Sequence, residues 1–395
     1  MDNAVPLAGI QVVSVEQAIA APLCSRQLAE LGARVIKIER RGEGDFARAY
    51  DSRVKGQSSH FIWTNRCKES ITLDLKQDAV APVLERLLAE TDVLIQNLAP
   101  SAAGRLGLSY EELQHRFPRL IVCNISGYGS SGPLATKKAY DLMVQAEAGF
   151  LSITGSPEHM AKSGISIADI AAGMHAYGAI LAALIKRGRT GLGSRIDISM
   201  LEAMVEWMGF PLYYAYDGAP PPSRSGTDHA SIFPYGAFRT GDDKIIMLGL
   251  QNEREWKVFC ESVLDLPELA SDRRFHSNSL RSEHRVALKK LIENRFSEFT
   301  ARQLMKKLNE ARIACASVND MDAVWNHPQL KALDRIVEID SPAGRLKSFR
   351  SPANNSSYQA VTGAVPAVGE HTDKILAELG FTAEQVARFR QQELI

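Results

Sequence analysis

One carboxylate, Asp169, stands where a long run of small and apolar residues begins. The string ISIADIAAGMH places Asp169 at the end of a short strand-like run and directly before a helical pattern that finishes at Lys186-Arg187-Gly188. This position predicts that Asp169 is the N-cap of the helix, which alone is a structural role. Free N–H groups and the helix dipole at such a position also hold a carboxylate ionised. Because the neighbouring alanines and glycine leave room for a bulky substrate, Asp169 is a candidate nucleophile toward an activated acyl group.

Basic residues follow the ends of several predicted strands. They are Lys37, Arg41, Lys76, Arg105, Lys137 and Lys138. Loops at the carboxyl ends of parallel strands line the ligand crevice of an open α/β sheet. Several cations there suit a polyphosphate ligand, although each one taken separately is equally consistent with an ordinary solvated charge.

The string GYGSSG at residues 127–132 matches the dinucleotide fingerprint GxGxxG literally. That fingerprint needs a helix to open at the glycines and an acidic residue roughly 20 positions further on. Pro133 follows instead, and residues 150–156 contain no acid, so we expect only a glycine-rich turn near a ligand. The sequence contains no GxxxxGK[ST], GxSxG or HExxH, and its nine histidines never pair at metal-ligand spacing. Hydrolase and metalloenzyme functions therefore lack support.

The amino-acid composition limits which kinds of molecule the protein is expected to bind and where it is expected to be located. The 395 residues contain 46 Lys and Arg and 46 Asp and Glu, so the net charge is zero and no nucleic-acid partner is expected. The five cysteines are Cys24, Cys67, Cys123, Cys260 and Cys315; none forms a CxxC, which argues against a zinc cage or a disulfide framework. The N-terminal residues are not expected to form a signal peptide, and the apolar stretch 170–185 is expected to be too short for a membrane span. We therefore expect a cytoplasmic protein.

The elements that would position Asp169 and the basic residues alternate between strand and helix. Strand patterns lie at residues 9–16, 34–40, 70–75, 92–98 and 120–126, and helical patterns lie at residues 22–31 and 80–90. Repeated strand–helix–strand units predict a parallel sheet with helices on both faces.

The pattern changes near residue 217. Residues 217–226, DGAPPPSRSG, read as a linker or an exposed loop. A hairpin pattern at 235–250, turning at 241–243, precedes helical patterns at 253–263, 282–296 and 301–311. A second hairpin pattern lies at 336–349, and a two-helix tail begins at residue 369. Residues from 230 to about 322 therefore resemble a smaller domain.

Several strings occur in order along the chain and carry a family resemblance. They are LAGIQVVSVEQAIAAPLCSRQLAELGARVIKIERRGEGDFAR, NRCKESITLDLK, DVLIQNLAPSAAGRLGLSYEEL, ISGYGSSGP, SGISIADIAAGMH, GLGSRIDISMLEA, PYGAFRT and GEHTDKIL. Together they resemble the class III CoA-transferases of the formyl-CoA and carnitine-CoA transferase type, over essentially all 395 residues. The resemblance implies an α/β fold with a Rossmann-like, CoA-binding large domain at 1–216 that is completed by 330–395. It further implies a linker at 217–229, a smaller α+β domain at 230–329 and two protomers interlocked as an intertwined dimer.

The same resemblance assigns roles to residues. The family nucleophile falls on Asp169. The expected CoA contacts are Gln17, Ala18, Arg41, Leu73, Lys76, Asn97, Leu98, Arg105 and Lys138, whereas Lys37 is expected to be a strand residue. Coenzyme A or acyl-CoA enters as a substrate, with no permanently bound cofactor and no metal. The implied reaction is a double displacement through an aspartyl anhydride and an aspartyl-CoA thioester.

Two departures from the family pattern bear on the substrate. The glycine-rich loop of formyl-CoA transferases is absent, and the region reads HASIFPYG from His229, which weakens an oxalate or formate assignment. The related α-methylacyl-CoA racemases have a histidine at the position of Tyr140, so a racemase stays the weaker alternative. The resemblance is nearest to transferases between succinyl-CoA and itaconate, with mesaconate, citramalate, oxalate and carnitine as other possible acids. The candidate substrate contacts are Tyr140, Arg48, Lys162, Arg224 and His229.

Overall fold

The computed structural model describes residues 5–99 and 101–395, which divide into two compact units. Unit 1 contains the described residues as far as Gly149, together with Ser163–Phe210 and Gln329–Ile395; unit 2 contains Phe150–Lys162 and Pro211–Pro328. This division differs from the expected boundaries. The segments Phe150–Lys162 and 211–216 belong to unit 2 instead of the large domain, and residues 217–229 are part of unit 2 instead of a separate linker. Gln329 belongs to unit 1 instead of the small domain.

The strands are β1 (Gln11–Val15), β2 (Arg34–Glu39), β3 (Lys68–Thr72), β4 (Val93–Gln96), β5 (Ile121–Ser126), β6 (Arg195–Ser199), β7 (Tyr235–Arg239), β8 (Ile245–Gly249), β9 (Ala314–Ser317), β10 (Ile336–Ile339) and β11 (Leu346–Phe349). The helices are α1 (Ala20–Glu30), α2 (Ser59–Asn65), α3 (Ala81–Ala89), α4 (Ala102–Arg105), α5 (Tyr110–Leu113), α6 (Asp141–Glu147), α7 (Phe150–Ile153), α8 (Ile167–Thr190), α9 (Met200–Trp207), α10 (Gly209–Tyr214), α11 (Glu253–Val258), α12 (Asn278–Glu283), α13 (Arg285–Phe296), α14 (Ala301–Glu310), α15 (Met321–Trp325), α16 (Pro328–Ala332), α17 (Thr372–Glu378) and α18 (Ala383–Gln391).

A six-stranded sheet in the order β3-β2-β1-β4-β5-β6 forms the centre of unit 1, and every neighbouring pair is parallel. Its central strands are short β-branched runs buried on both faces, as strands between two helix layers must be. Val13, for example, pairs with Ile36 on one side and Leu94 on the other. Chain order reverses between β1 and β4, which makes this the switch point where open α/β sheets form a crevice. The predicted α/β fold with a parallel sheet is confirmed.

The end of the chain returns to cover the β3 edge of this sheet. The carbonyl of Ser70 accepts the His371 N–H at 2.9 Å, and the Asp74 N–H donates to the Leu394 carbonyl at 2.8 Å. Apolar residues of α17, α18 and the last turn join the core that also contains residues of β1, β2 and β3. The antiparallel pair β10-β11 also belongs to unit 1.

Unit 2 is built around a three-stranded antiparallel sheet, β7-β8-β9, with helices packed on it. Its own core includes Phe238, Trp256, Phe259 and Phe296. The helical pattern expected at 253–263 is α11 followed by π-helical residues, and the pattern expected at 282–296 is split between α12 and α13. Strands β6 and β9 were not predicted from the sequence.

Helix α8 packs in the interior layer of unit 1, against α1, α6, α9 and strands β5 and β6. It is also the one helix within the described ranges that is long and apolar enough to cross a membrane, with 24 residues and a mean hydropathy of 1.5. The expectation that this apolar stretch is too short is therefore wrong, because the helix extends beyond 170–185 at both ends. A core helix passes the same test, so this composition is weak evidence for a membrane span.

Candidate active site

Asp169 lies in the first turn of α8 as its third residue, and its side chain is partly buried. The N-cap is Ser166, whose side chain makes no capping hydrogen bond. The prediction that Asp169 caps this helix is thus wrong. The capping oxygen comes from Asp141, the first residue of α6, whose Oδ1 accepts the Ala168 N–H at 2.8 Å. A carboxylate from a preceding helix therefore fixes the residue next to Asp169.

Asp141 is itself held by Gln145. The Asp141 Oδ2 accepts a hydrogen bond from Gln145 Nε2 at 2.6 Å, and the fully buried Gln145 accepts the Ser163 N–H at 2.9 Å through its Oε1. Both ends of the segment that leads into α8 are tied to α6 by these bonds. The negative charge of Asp141 is consequently fixed close to Asp169.

The environment of Asp169 favours its protonated form. Burial, and after it the charge of Asp141, raises the pKa of Asp169 from 3.8 to about 7, although the Ala20 N–H opposes this. The expectation that the helix start holds Asp169 ionised is therefore corrected, because burial and a like charge outweigh the N–H groups. Near neutral pH a large share of the molecules has a protonated Asp169.

The start of α1 packs against α8 beside Asp169. Ala20, the first residue of α1, is 2 % exposed. Gly173 follows Asp169 by one helical turn, and a Cβ atom built on it would lie 2.7 Å from the Ala20 carbonyl oxygen. Only glycine allows the two helices to approach this closely. The approach keeps the Ala20 N–H facing the Asp169 carboxylate.

The turn between β1 and α1 lies at the switch point of the sheet. The Gln17 N–H donates to Asn97 Oδ1 at 2.9 Å, and Asn97 Nδ2 donates to the Gln17 carbonyl at 2.8 Å. Ala18 has a positive φ of 63°, and its N–H donates to Asp45 Oδ1 at 3.1 Å. Three expected CoA contacts, Gln17, Ala18 and Asn97, are therefore adjacent, and their contacts pin the turn that leads to Ala20.

The other expected CoA contacts follow the carboxyl ends of neighbouring strands. Arg41 follows β2 and pairs with Glu393 at 3.1 Å, and both line a cavity of about 350 Å³. Lys76 is an exposed residue beyond β3, whereas the side chain of Leu73 is 2 % exposed and belongs to the core. Leu98 follows Asn97 after β4. Arg105 is the last residue of α4, and its side chain donates to Ser101 Oγ. Lys138 Nζ lies 5.1 Å from the centroid of the Tyr140 ring. Lys37 is a buried residue of β2, as expected.

An aromatic residue that the sequence did not single out, Tyr50, lies near Asp169. Burial, followed by the charges of Asp45 and Asp169, raises the pKa of Tyr50 to about 12, so its phenol is neutral and can donate a hydrogen bond. Its ring contacts His60 edge-on, at a centroid distance of 5.4 Å. Tyr140 is exposed at the N-terminus of α6. No local sequence pattern distinguishes Tyr50, because Tyr50 comes close to Asp169 only when the chain is folded.

The expected acid-binding cations are not gathered around Asp169 within unit 1. Arg48 donates to both oxygens of Glu39, at 2.9 and 2.7 Å, and its guanidinium lies 3.6 Å from the Phe61 ring centroid, which is a structural role. Lys162, Arg224 and His229 belong to unit 2.

The side chains of Arg224 and His229 bind backbone groups of unit 2. Arg224 donates to the carbonyls of Ser156 and Pro157 at 3.0 Å. Nδ1 of His229 accepts the N–H groups of Ser231 and Ile232, which places the ring proton on Nε2 in the neutral tautomer.

Neither a metal cluster nor a reactive thiol stands out among the residues that the structure describes. No group of three His, Cys, Asp or Glu side chains there could hold a metal ion. The five cysteines are all free, and burial raises the pKa of each thiol.

Comparison with known proteins decides the family. The model of CoA-transferase family III matches residues 7–372. The chain belongs to this family. It is 33 % identical to the human succinyl-CoA:glutarate CoA-transferase over 384 residues, which cover 96 % of this chain and 87 % of the relative. It is 34 % identical to the acetyl-CoA:oxalate CoA-transferase of Acetobacter aceti over 355 residues, which cover 89 % and 90 % of the two chains.

Among solved structures, a CaiB/BaiF family protein from Brucella suis is similar to this family III chain. It superposes with a TM-score of 0.85 at 33 % identity, covering 95 % of this chain and 99 % of that one. The expected resemblance to class III CoA-transferases is confirmed, and the protein is a CoA-transferase.

Proposed function

We propose that this CoA-transferase moves CoA from an acyl-CoA donor, succinyl-CoA, to a small dicarboxylic acid, with Asp169 as the nucleophile. One observation carries this proposal. A partly buried carboxylate stands at the junction of α1 and α8, faces the Ala20 N–H and lies beside the switch point of a family III fold. Open α/β sheets bind their ligands at that point.

The proposed reaction begins with attack of the ionised Asp169 on the thioester carbonyl of the donor. The C–S bond breaks, and an aspartyl–acyl anhydride and CoA thiolate result. The thiolate then attacks the Asp169 carbonyl carbon, which releases the donor acid and leaves an aspartyl-CoA thioester. The carboxylate of the acceptor acid repeats these two steps in reverse, and Asp169 is regenerated. The thioester is conserved, so the cycle consumes no ATP and no net proton.

Two features of the site support this sequence of steps. The Ala20 N–H can donate to the oxyanion that forms on Asp169, as backbone N–H groups do at acyl-transfer sites. Acylation removes the negative charge of Asp169, and the repulsion from Asp141 ends with it. Because only the ionised form attacks and the pKa is about 7, transfer should accelerate as the pH rises through neutrality.

For the acceptor we propose a five-carbon dicarboxylate, with itaconate as the first candidate and glutarate as the second. The human relative named above acts on glutarate, and the Acetobacter relative acts on oxalate. The missing glycine-rich loop argues against oxalate. A dicarboxylate leaves its second carboxylate in need of a cation or a hydrogen-bond donor. Arg48 is bound to Glu39, so Lys162 and Arg224 stay the candidate cations, and His229 stays a candidate donor through its Nε2–H.

We also propose that the functional protein is an interlocked homodimer. The support is the family resemblance and a set of exposed apolar side chains in unit 1, including Ile185, Leu192 and Trp207, which are 61, 60 and 46 % exposed. Apolar surface of this kind is typical of an interface. Light scattering coupled to gel filtration should give twice the mass of one chain, and a monomeric mass would refute this proposal.

The test of the reaction is a mass-spectrometric exchange assay. Purified protein is incubated with succinyl-CoA and, in turn, itaconate, glutarate, mesaconate, citramalate, oxalate and carnitine, and new acyl-CoA masses are recorded. Itaconyl-CoA or glutaryl-CoA is expected. Asp169→Ala should bind CoA and transfer none, whereas Asp373→Ala, which removes an aspartate from the first turn of another helix of unit 1, should keep wild-type activity.

Two outcomes would overturn the assignment. Transfer by Asp169→Ala at more than trace level would exclude Asp169 as the nucleophile. Exchange of the α-proton of a 2-methylacyl-CoA, without CoA transfer to any acid, would favour the racemase alternative despite Tyr140.

A further inference from the structure

A cluster of six buried charges lies beneath the turn that joins β1 to α1. Its members are Glu16, Lys37, Glu39, Asp45, Arg48 and Lys68, and all except Arg48 are at most 4 % exposed. Three are cations and three are anions, so the cluster is neutral as a whole. Such an arrangement is weak evidence for stability, because the cost of removing charges from water offsets their attraction. Its contacts with the turn suggest a different role.

Asp45 is the member that reaches the turn. Its Oδ1 accepts the N–H groups of Ala18 at 3.1 Å and Ala47 at 2.9 Å, and its Oδ2 accepts a hydrogen bond from Lys37 Nζ at 2.7 Å. The N–H of Asp45 donates to Glu39 Oε1 at 2.8 Å. Both carboxylate oxygens and the backbone of Asp45 are therefore fixed, and the position of the Ala18 N–H is fixed with them.

Ala18 needs such an anchor. With a φ of 63° it adopts the left-handed conformation, which a residue with a Cβ atom occupies only when its surroundings hold it there. Ala20 follows two residues later. Ala20 is the first residue of α1, so its N–H has no acceptor within the helix and remains available to Asp169.

A second arm of the cluster holds the first turn of α1. Lys68 Nζ donates to the Pro22 carbonyl at 2.9 Å and to Glu16 at 2.7 Å, and the Ser25 hydroxyl donates to the same Glu16 carboxylate. The turn and the helix start are thus bound to the same buried cluster, on both sides of Ala20.

We propose that Asp45 is a positioning residue, which holds the left-handed Ala18 and thereby aims the Ala20 N–H at the nucleophile. The inference rests on the proposed function of Asp169 and adds to it the group that prepares the site before substrate binds. Asp45 is fully buried and binds the Ala18 N–H, so its effect passes through the turn. An N–H group contributes to an acyl-transfer step only if it is already in place, and a misplacement of about 1 Å can cost about 100-fold in rate.

The test compares Asp45→Asn with a matched control, Glu30→Gln. Asparagine at 45 has a single side-chain acceptor oxygen. The Lys37 ammonium takes this oxygen, so an NH₂ group faces the Ala18 N–H and the anchor of the turn is lost. Glu30 is also a buried carboxylate, pairs with Arg66 and lies at the opposite end of α1. Both variants should lose thermal stability. Only Asp45→Asn should lower kcat for CoA transfer, by about tenfold or more.

A readout independent of activity follows the protonation of Asp169. Carbodiimide-mediated coupling of glycine ethyl ester labels protonated carboxyl groups, and peptide mass spectrometry gives the labelling of Asp169 as a function of pH. Because the Ala20 N–H lowers the pKa of Asp169, its displacement in Asp45→Asn should move the labelling midpoint to higher pH. The midpoint should not move in Glu30→Gln. Glycine adopts the left-handed conformation without strain, so Ala18→Gly added to Asp45→Asn should restore folding where Asp45→Asn alone does not fold, and should return the midpoint toward the wild-type value.

The outcomes separate the two proposals. If wild-type protein transfers CoA but Asp45→Asn retains both kcat and the labelling midpoint, or Glu30→Gln changes them equally, the positioning role is refuted and the proposed function stands. If wild-type protein transfers no CoA, the proposed function fails, and the labelling midpoints alone still decide whether Asp45 positions the turn.

Discussion

Replacing Asp169 with asparagine is expected to stabilise the folded protein above neutral pH. Burial and the charge of Asp141 raise the pKa of Asp169 from 3.8 to about 7 in the folded chain. Between these pH values the folded state therefore binds a proton that the unfolded state has released. The free energy of unfolding decreases as the pH rises through this window, and the full cost is present above it. Asparagine carries no charge and avoids this cost.

The size of the effect follows from the two pKa values. A change from 3.8 to about 7 corresponds to at most about 4 kcal/mol, since one pKa unit is worth about 1.4 kcal/mol. At pH 4.5 the cost is only about 1 kcal/mol, because this pH lies only about 0.7 units above the unfolded pKa of 3.8. The stability of Asp169→Asn relative to wild type should therefore increase by about 3 kcal/mol between pH 4.5 and pH 8.5.

Urea unfolding followed by circular dichroism at these two pH values measures the difference. Asp51→Asn is the control of opposite sign, because the N–H groups of Arg53 and Ser59 hold the pKa of Asp51 below its ordinary value. The Asp51 carboxylate stabilises the fold at pH values above the pKa that Asp51 has in the unfolded chain, and this contribution is lost as the pH falls. Asp51→Asn should therefore destabilise the protein at both pH values. A difference between Asp169→Asn and wild type that is the same at pH 4.5 and pH 8.5 would contradict the raised pKa.

Three further predictions concern the surroundings of the nucleophile. Asp141→Asn keeps an oxygen for the Ala168 N–H and removes a charge, so the acid limb of the pH–rate profile for transfer should move to lower pH; an unmoved limb would show that Asp141 does not act on the nucleophile. Gly173→Ala forces a Cβ atom against the Ala20 carbonyl, so it should cost about 1–3 kcal/mol of stability and reduce kcat. An unchanged melting temperature would show that the two helices can separate at no cost. Arg48→Gln should lower the melting temperature and leave the ranking of acceptor acids by kcat/KM unchanged; an altered ranking would place Arg48 at the second carboxylate.

Much of the sheet could be predicted from the sequence because its central strands are buried on both faces. Continuous β-branched runs such as those of β1 and β2 are locally distinctive. Strands β6 and β9 lie at sheet edges, contain four or five residues, and are largely exposed, so their identity depends on pairing with partners distant in sequence. The inclusion of Phe150–Lys162 in unit 2 likewise depends on tertiary contacts, since Arg224 binds the carbonyls of that segment.

At the site, the sequence predicts where Asp169 lies along the chain but not what surrounds it. The alanine-rich pattern correctly places it near the start of a long helix. Its capping role was wrong because Asp141, 27 residues before Ala168, supplies the oxygen, and no local rule identifies so distant a partner. Its ionisation was wrong for the same reason, because burial arises only when α1 and α8 pack together. The sequence alone is consistent with Arg48 as a solvated cation, whereas the folded chain pairs Arg48 with Glu39.

The return of the chain to the β3 edge has a consequence for biosynthesis. The core around β1, β2 and β3 includes Leu376, Phe381 and Ile395, which leave the ribosome more than 290 residues after β3. The first strands must therefore wait, with part of their apolar surface uncovered, while residues 211–328 are made and can already form their own local core. Contacts between residues so far apart slow folding and prolong the exposure of aggregation-prone surface. Unit 1 consequently cannot complete this core until Leu376, Phe381 and Ile395 have left the ribosome.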